Sequence, residues 1–260
     1  MTHIKELTAN KMKVKIYETR LQLGAEAAYD VGKKIKELLL KREFVNIIFA
    51  AAPSQNEFLS SLSQQQDVDW SRVNAFHMDE YVGLDERAPQ RFSQFLKESI
   101  FDKVATHKVY YINGNADDIN AECHRYSHLL KQYPTDIVCM GIGENTHIAF
   151  NDPHVADFND PLGVKVVALD EVSRQQQVND GCFERIEDVP AFAITLTVPA
   201  LLQANSIFCL VPGIKKASAI YYTINSEVNE SYPSTSLRNH NNAILYLDKD
   251  SAAQLDRKIF

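Results

Sequence analysis

Apolar positions along this chain gather into short unbroken runs separated by stretches of helical period. Residues 44–51 (FVNIIFAA) form the clearest run, and its lack of alternation is what a strand covered on both faces requires. Residues 73–76, 136–140, 164–169, 191–198, 206–211 and 243–247 have the same character. Between the runs, Ala28, Val31, Ile35 and Leu38, and again Ile119, Cys123, Tyr126 and Leu130, recur at spacings of three and four, the stripe of an amphipathic helix. Strand–helix alternation of this kind predicts an α/β fold: a three-layer, Rossmann-like, open and mainly parallel sheet with helices on both faces, joined by right-handed crossovers. No repeat, low-complexity tract or Gly/Ser linker interrupts the pattern, and 260 residues suit one large domain, so a single domain over 1–260 is expected. Residues 154–163, polar and proline-bounded, are expected to be the most flexible segment.

In such sheets ligands gather at the carboxyl ends of the strands. Four chemically rich stretches each follow a predicted strand: residues 52–56 (APSQN), 77–81 (HMDEY), 141–153 (GIGENTHIAFNDP) and 212–216 (PGIKK). The topology predicts that all four converge on one rim.

Composition narrows the partners. A formal charge of -7 argues against nucleic acid as the main partner, while a local basic pocket for a small anion is still allowed. Cys123, Cys139, Cys182 and Cys209 are far apart, without CxxC or Cys–His spacing, and read as reduced, mostly core cysteines of an intracellular protein. The first residues lack the apolar stretch of a signal peptide, and nothing approaches the length of a membrane span. A cytoplasmic protein with no membrane partner is expected.

Within the rim, a carboxylate at Asp79 or Glu80 held near Phe76, Met78 and Tyr81 would have its charged form disfavoured, making it a better proton acceptor; the blander reading is a cap on the turn. His147 has Asn145 and Asp152 within reach of its ring nitrogens, enough to fix a tautomer, and Gly141 and Gly143 beside it suggest that backbone comes close to something. The blander reading there is a core histidine satisfied by backbone. Lys216 opens a helix after Pro212-Gly213, and Ser54, Gln55 and Asn56 open another; a helix start offers free N–H groups to a phosphate, although an ordinary cap and a solvated lysine explain each one alone. Arg174 is a weaker candidate for the same anion. Tyr110, Tyr111 and Phe192 read as core. The remaining histidines show no ligand spacing, and no metal is assigned.

In this order, MDEYVGL (78–84), residues 111–123, GIGENTHIAFNDP, LTVPALLQA (196–204) and PGIKKA make the chain resemble the glucosamine-6-phosphate deaminase/isomerase family, related to 6-phosphogluconolactonases. Tyr81 and Thr146-His147-Ile148 stand where the lactonase branch typically has Arg and Gly-His-Thr, and point to the deaminase side. The resemblance implies a cofactor-free reaction on a small-molecule sugar phosphate, with His147 as the ring-opening group and Asp79 as the enolisation base. It also implies that a homo-oligomer is possible. The departures fall on the site. Asn145 replaces the family's usual Asp, Asp152 its usual Glu, and Ser54-Gln55-Asn56 its glycine-rich phosphate turn. The family's phosphate arginine has no secure equivalent, Arg174 being only nearby. Lys216 matches. A divergent amino-sugar-6-phosphate deaminase/isomerase is expected; a phosphosugar lactonase or aldose–ketose isomerase, and a non-catalytic sugar-phosphate sensor, are the alternatives.

Overall fold

The structure, a computed structural model, describes residues 5–255; His3 lies outside them. Its strands are β1 (Lys5–Ala9), β2 (Met12–Tyr17), β3 (Val45–Phe49), β4 (Val73–His77), β5 (Asp79–Tyr81), β6 (Lys108–Tyr110), β7 (Ile137–Met140), β8 (Val164–Ala168), β9 (Phe192–Leu196), β10 (Ser206–Val211) and β11 (Ala243–Asp248). The helices are α1 (Arg20–Leu39), α2 (Asn56–Ser63), α3 (Phe92–Leu96), α4 (Ile119–Gln132), α5 (Glu171–Asn179), α6 (Val198–Leu202) and α7 (Ala217–Asn225).

The predicted three-layer sheet forms. Eight strands run in the order β1-β2-β11-β10-β7-β3-β4-β6, and every neighbouring pair except the β1–β2 hairpin is parallel. Alternation along β3 shows why the run had to be largely apolar. Ile47 and Phe49 pack on one side with Leu23, Val31 and Phe58 of α1 and α2, whereas Ile48 packs on the other with Tyr126 and Ile220 of α4 and α7. A polar residue at any of these positions would be stranded between the layers. Helix α1 starts where Thr19 accepts a hydrogen bond from the Gln22 backbone N–H, a side-chain N-cap that satisfies one of the otherwise orphaned donors. Its stripe of Leu23, Ala27, Ala28, Val31 and Ile35 is buried, and this burial supplies most of the helix's stability.

Two expectations need correction. β8 and β9, predicted as strands of the parallel sheet, instead pair antiparallel with each other, and β9 pairs with β5, in a separate three-stranded sheet. Only one face of β8 is well covered, leaving Val166 and Ala168 to solvent, as antiparallel strands allow. Phe192 is 53% exposed at the start of β9, so it is not core. The hairpin of β1 and β2 was not foreseen, because MKVKIY alternates polar and apolar residues where continuous runs were sought.

Residues 154–163 contain no helix or strand. Lys165 pins the segment, its Nζ donating to the Val155 carbonyl at 2.7 Å and to Asp160 Oδ2 at 2.8 Å. Among the described residues no helix is long and apolar enough to cross a membrane, and the four cysteines are free.

The sheet also fixes where a ligand would go. From β3 the chain builds outward in both directions, with β4 and β6 on one side and β7, β10 and β11 on the other. Such a switch point opens a crevice at the carboxyl ends of its strands.

Candidate active site

A cavity of about 670 Å³ lies at that crevice, within the size range of small-molecule sites. Its wall draws on the four stretches expected to meet there: Ser54 and Gln55 after β3, Met78 and Asp79 after β4, Gly143 and His147 after β7, and Lys216 after β10.

The Asp-Glu pair divides its labour by strand alternation. Asp79 lines the cavity. Glu80 points the other way, is fully buried, and accepts hydrogen bonds from Phe92 N (3.1 Å), Ser93 N (3.0 Å) and Ser93 Oγ (2.6 Å). It thereby holds the start of α3. Burial pushes the Asp79 carboxyl well above the usual carboxylate range, and the charge of Glu80 adds to the rise. Asp79 is therefore a carboxyl poised to take and return a proton.

His147 sits in a loop that bends through two left-handed residues, Thr146 (φ 72°) and Ala149 (φ 49°). Behind the ring, Nδ1 is 2.9 Å from Asp152 Oδ1 and 3.1 Å from Ser173 Oγ. Asn145 clamps both partners: its Nδ2 donates to Asp152 Oδ1 at 2.9 Å and its Oδ1 accepts from His147 N at 3.1 Å. Asp152 has no solvent exposure, which alone would raise its carboxyl; the hydrogen bond and charge of His147, with bonds from Asn145 and Ser173, outweigh burial and hold it down at about 2. An ionised carboxylate at Nδ1 fixes the tautomer and favours the imidazolium once the ring takes a proton. Asn145 and Asp152 thus stand behind the imidazole and do not line the cavity. Ser173, the third partner, was missed: it lies one turn into α5, and nothing in its spacing links it to a loop 26 residues away.

The free edge of the imidazole faces Gly143. A Cβ at that position would lie 2.2 Å from both Nε2 and Cε1 of His147, closer than any real contact, so only glycine leaves the ring where Asp152 holds it. Gly143→Ala is expected to push the imidazole out of register and lower kcat by about 10²-fold, the usual cost of a displacement near 1 Å, with the fold retained. Steady-state kinetics beside a thermal melt will check this. Among the described residues the buried Oγ1 of Thr146 has no hydrogen-bond partner, and its φ is positive. Thr146→Gly should relieve a conformation that costs L-residues roughly 1–2 kcal/mol, raising Tm by about 2–4 °C; an unchanged melting point would contradict that.

Lys216 also lines the cavity and is only 7% exposed. Burial lowers its ammonium pKa, while the carboxylates of Asp180 and Glu144 work against the shift. Gln55 is buried and gives its amide N–H groups to Ser54 Oγ (3.1 Å) and the Leu210 carbonyl (3.3 Å). Two expected residues fall elsewhere. Asn56 is exposed at the start of α2 and outside the cavity. Arg174 also lies outside it, donating to the carbonyls of Ile186 (2.7 Å) and Val189 (3.1 Å). The cause is helical: Ser173 faces His147, so the next residue on α5 is turned about 100° away. Arg20, Gln176 and Asp180 line the cavity unforeseen.

Among the described residues, Asp152, His154 and Asp170 offer ligand atoms within 4.8 Å of one another. Asp152 Oδ1 is engaged by His147 and Asn145, and Asp170 caps α5 through Ser173 N at 2.6 Å.

A family model described as glucosamine-6-phosphate isomerases/6-phosphogluconolactonase matches residues 18–246. A glucosamine-6-phosphate deaminase of Listeria monocytogenes is 36% identical over 211 residues, covering 81% of this chain and 88% of the relative. One from Bacillus cereus is 33% identical over 240 residues, covering 92% and 88%. Among solved structures, a monomeric glucosamine-6-phosphate deaminase superposes with a TM-score of 0.85 at 28% identity, covering 93% of this chain and 99% of that one. A 6-phosphogluconolactonase of Thermotoga maritima gives 0.74 at 16% identity, covering 91% and 99%, which is a likeness of fold. With the family model matched over residues 18–246 and relatives 33–36% identical over most of its length, the chain belongs to the glucosamine-6-phosphate isomerase/6-phosphogluconolactonase family.

Proposed function

We propose that this protein is an amino-sugar-phosphate deaminase/isomerase, converting glucosamine 6-phosphate, or a close relative such as galactosamine 6-phosphate, to the ketose 6-phosphate and ammonia. The observation that carries the reading is the pairing of a raised carboxyl, Asp79, with an imidazole backed by an ionised Asp152, both opening on one cavity. Relatives named for this reaction support the same class.

In this reading His147 takes the proton of the anomeric hydroxyl and gives one to the ring oxygen, so the C1–O5 bond breaks and an aldehyde forms. Asp152 stabilises the intervening imidazolium by charge, and Asn145 and Ser173 hold the pair in line. Asp79, as carboxylate, then removes the C2 proton while O1 takes up the proton that the C2 ammonium gives up, leaving an enolamine, and returns its own proton to C1 to give the imine at C2. The C2 imine adds water, and collapse of the carbinolamine expels ammonia. Ser54 and Lys216 hold the remote phosphate, and that binding energy positions C1 and C2 against Asp79. Backbone at Gly143 lets the ring approach the imidazole.

The test is incubation of the purified protein with each amino-sugar 6-phosphate, following ammonia and ketose phosphate together. Release of both in equal amounts is expected. Silence with every amino sugar, or hydrolysis of a sugar lactone without ammonia, would remove the assignment.

A further inference from the structure

Behind His147, outside the cavity, lies a second group of polar side chains. Asp152, His154 and Asp170 each place one ligand atom within 4.8 Å of the others, and none of the three lines the cavity. His154 Nε2 is 3.2 Å from the Ala168 carbonyl. A carbonyl only accepts, so in the neutral ring Nε2 carries the proton and Nδ1 presents a lone pair. That lone pair is 3.8 Å from Asp170 Oδ2, two acceptors held close with no hydrogen bond between them. Asn145 keeps the two carboxylates side by side, its Nδ2 reaching Asp152 Oδ1 at 2.9 Å and Asp170 Oδ2 at 3.4 Å.

A separate observation points to a ligand. Asp152 Oδ1 takes all three side-chain partners of that carboxylate, His147, Asn145 and Ser173. Oδ2, on a residue with no solvent exposure, has no hydrogen-bond partner among the described residues. A buried carboxylate oxygen without a donor calls for an ion or an ordered water. The surroundings favour an ion, because a water leaves two neighbouring carboxylate charges uncompensated. Each ligand is also steadied from behind, His154 by the Ala168 carbonyl, Asp170 by Ser173 N at 2.6 Å and Asp152 through Oδ1, as metal ligands are. The side chains of His154 and Asp170 are 46% and 27% exposed, which leaves an entry path and two arms free to close on the ion.

We infer that Asp152, His154 and Asp170 form a zinc site, with water in the fourth position, and that zinc bound there inhibits the enzyme from behind its histidine. One imidazole, two carboxylates and an open position suit zinc, whereas magnesium and calcium take oxygen ligands. The ion draws on the Asp152 charge that stabilises the His147 imidazolium during ring opening. Turnover therefore falls, while the cavity and substrate binding are untouched. The inhibitory role rests on the deaminase reading above; the site itself does not.

The experiment titrates the metal-free, full-length chain with zinc chloride by calorimetry, beside ammonia release from glucosamine 6-phosphate at the same zinc concentrations, for wild type and His154→Ala. Wild type should bind zinc, and His154→Ala should weaken that binding by about 100-fold. Saturating zinc should lower wild-type kcat by about tenfold or more at unchanged KM, the sign of an interaction made only in the transition state. His154→Ala should keep its metal-free rate at that concentration. Asp170→Asn retains the helix cap, since Asn caps as well as Asp, and should weaken zinc binding in the same way, so the test does not hang on one variant. No zinc binding, or equal affinity in wild type and both variants, overturns the site. Zinc bound there with kcat unchanged overturns the inhibition. Absence of ammonia from the metal-free wild type sinks the deaminase reading and the inhibitory role with it, while calorimetry still decides the site.

Discussion

Asp79→Asn is expected to lower kcat by about 10²–10⁴-fold, the usual contribution of a positioned base, while making the protein more stable at pH 8. Both effects follow from one cause. The Asp79 carboxyl is buried beside Glu80, and its pKa in the fold is raised above the unfolded value. The stability it contributes is therefore fully present below the unfolded pKa, about 3.9, and is lost as pH rises through the folded one. Asparagine carries no charge, so the variant escapes that loss. Its advantage over wild type should appear above the ordinary carboxylate range and close as pH falls toward about 4. In the wild type, kcat should rise with pH through the raised pKa, because only the carboxylate can accept the C2 proton. Denaturant melts at pH 4 and pH 8, beside kinetics over the same range, check both halves. A variant that loses activity and also stability at pH 8 would mean that Asp79 is a structural carboxylate.

His147→Ala should remove turnover of the closed-ring sugar, again by about 10²–10⁴-fold, and here stability should fall. Without the ring, Asp152 keeps Asn145 and Ser173 but loses the partner at 2.9 Å that holds its carboxyl down. A depressed carboxyl contributes stability above its unfolded value that is lost as pH falls through the folded value, about 2. The variant should therefore be less stable than wild type by about 1–3 kcal/mol at pH 7, the cost of leaving a buried acceptor short of a partner, with the gap closing in acid. kcat on the equilibrated sugar phosphate and urea melts at pH 7 and pH 3 read this out. Retention of a tenth or more of the wild-type rate would take ring opening away from His147.

Much of this was legible in the sequence, for reasons that also set the boundary. The parallel core could be read because β3, β7 and β10 are buried on both faces and so contain almost no polar residue. β1 and β2 escaped because one face of an edge hairpin is wet, and β8 and β9 were placed in the wrong sheet because apolar content does not encode which neighbour a strand takes. At the site, Asp79, His147 and Lys216 each sit directly after a strand, where chain order and spatial order coincide. Ser173, Asp180 and Arg20 reach the cavity region from helices packed around the rim, and only tertiary structure brings them there. Arg174 failed for the complementary reason: one residue of helix phase sends its guanidinium to the Ile186 and Val189 carbonyls.

The most direct test of the central claim is a structure with a linear amino-hexitol 6-phosphate bound, an unreactive mimic of the opened sugar. The account predicts the C1–C2 edge within about 3–3.5 Å of the Asp79 carboxyl, His147 Nε2 facing the oxygen that closes the ring, and the phosphate toward Lys216. A ligand bound in the cavity with C1 and C2 turned away from Asp79, or bound outside the cavity altogether, would contradict it.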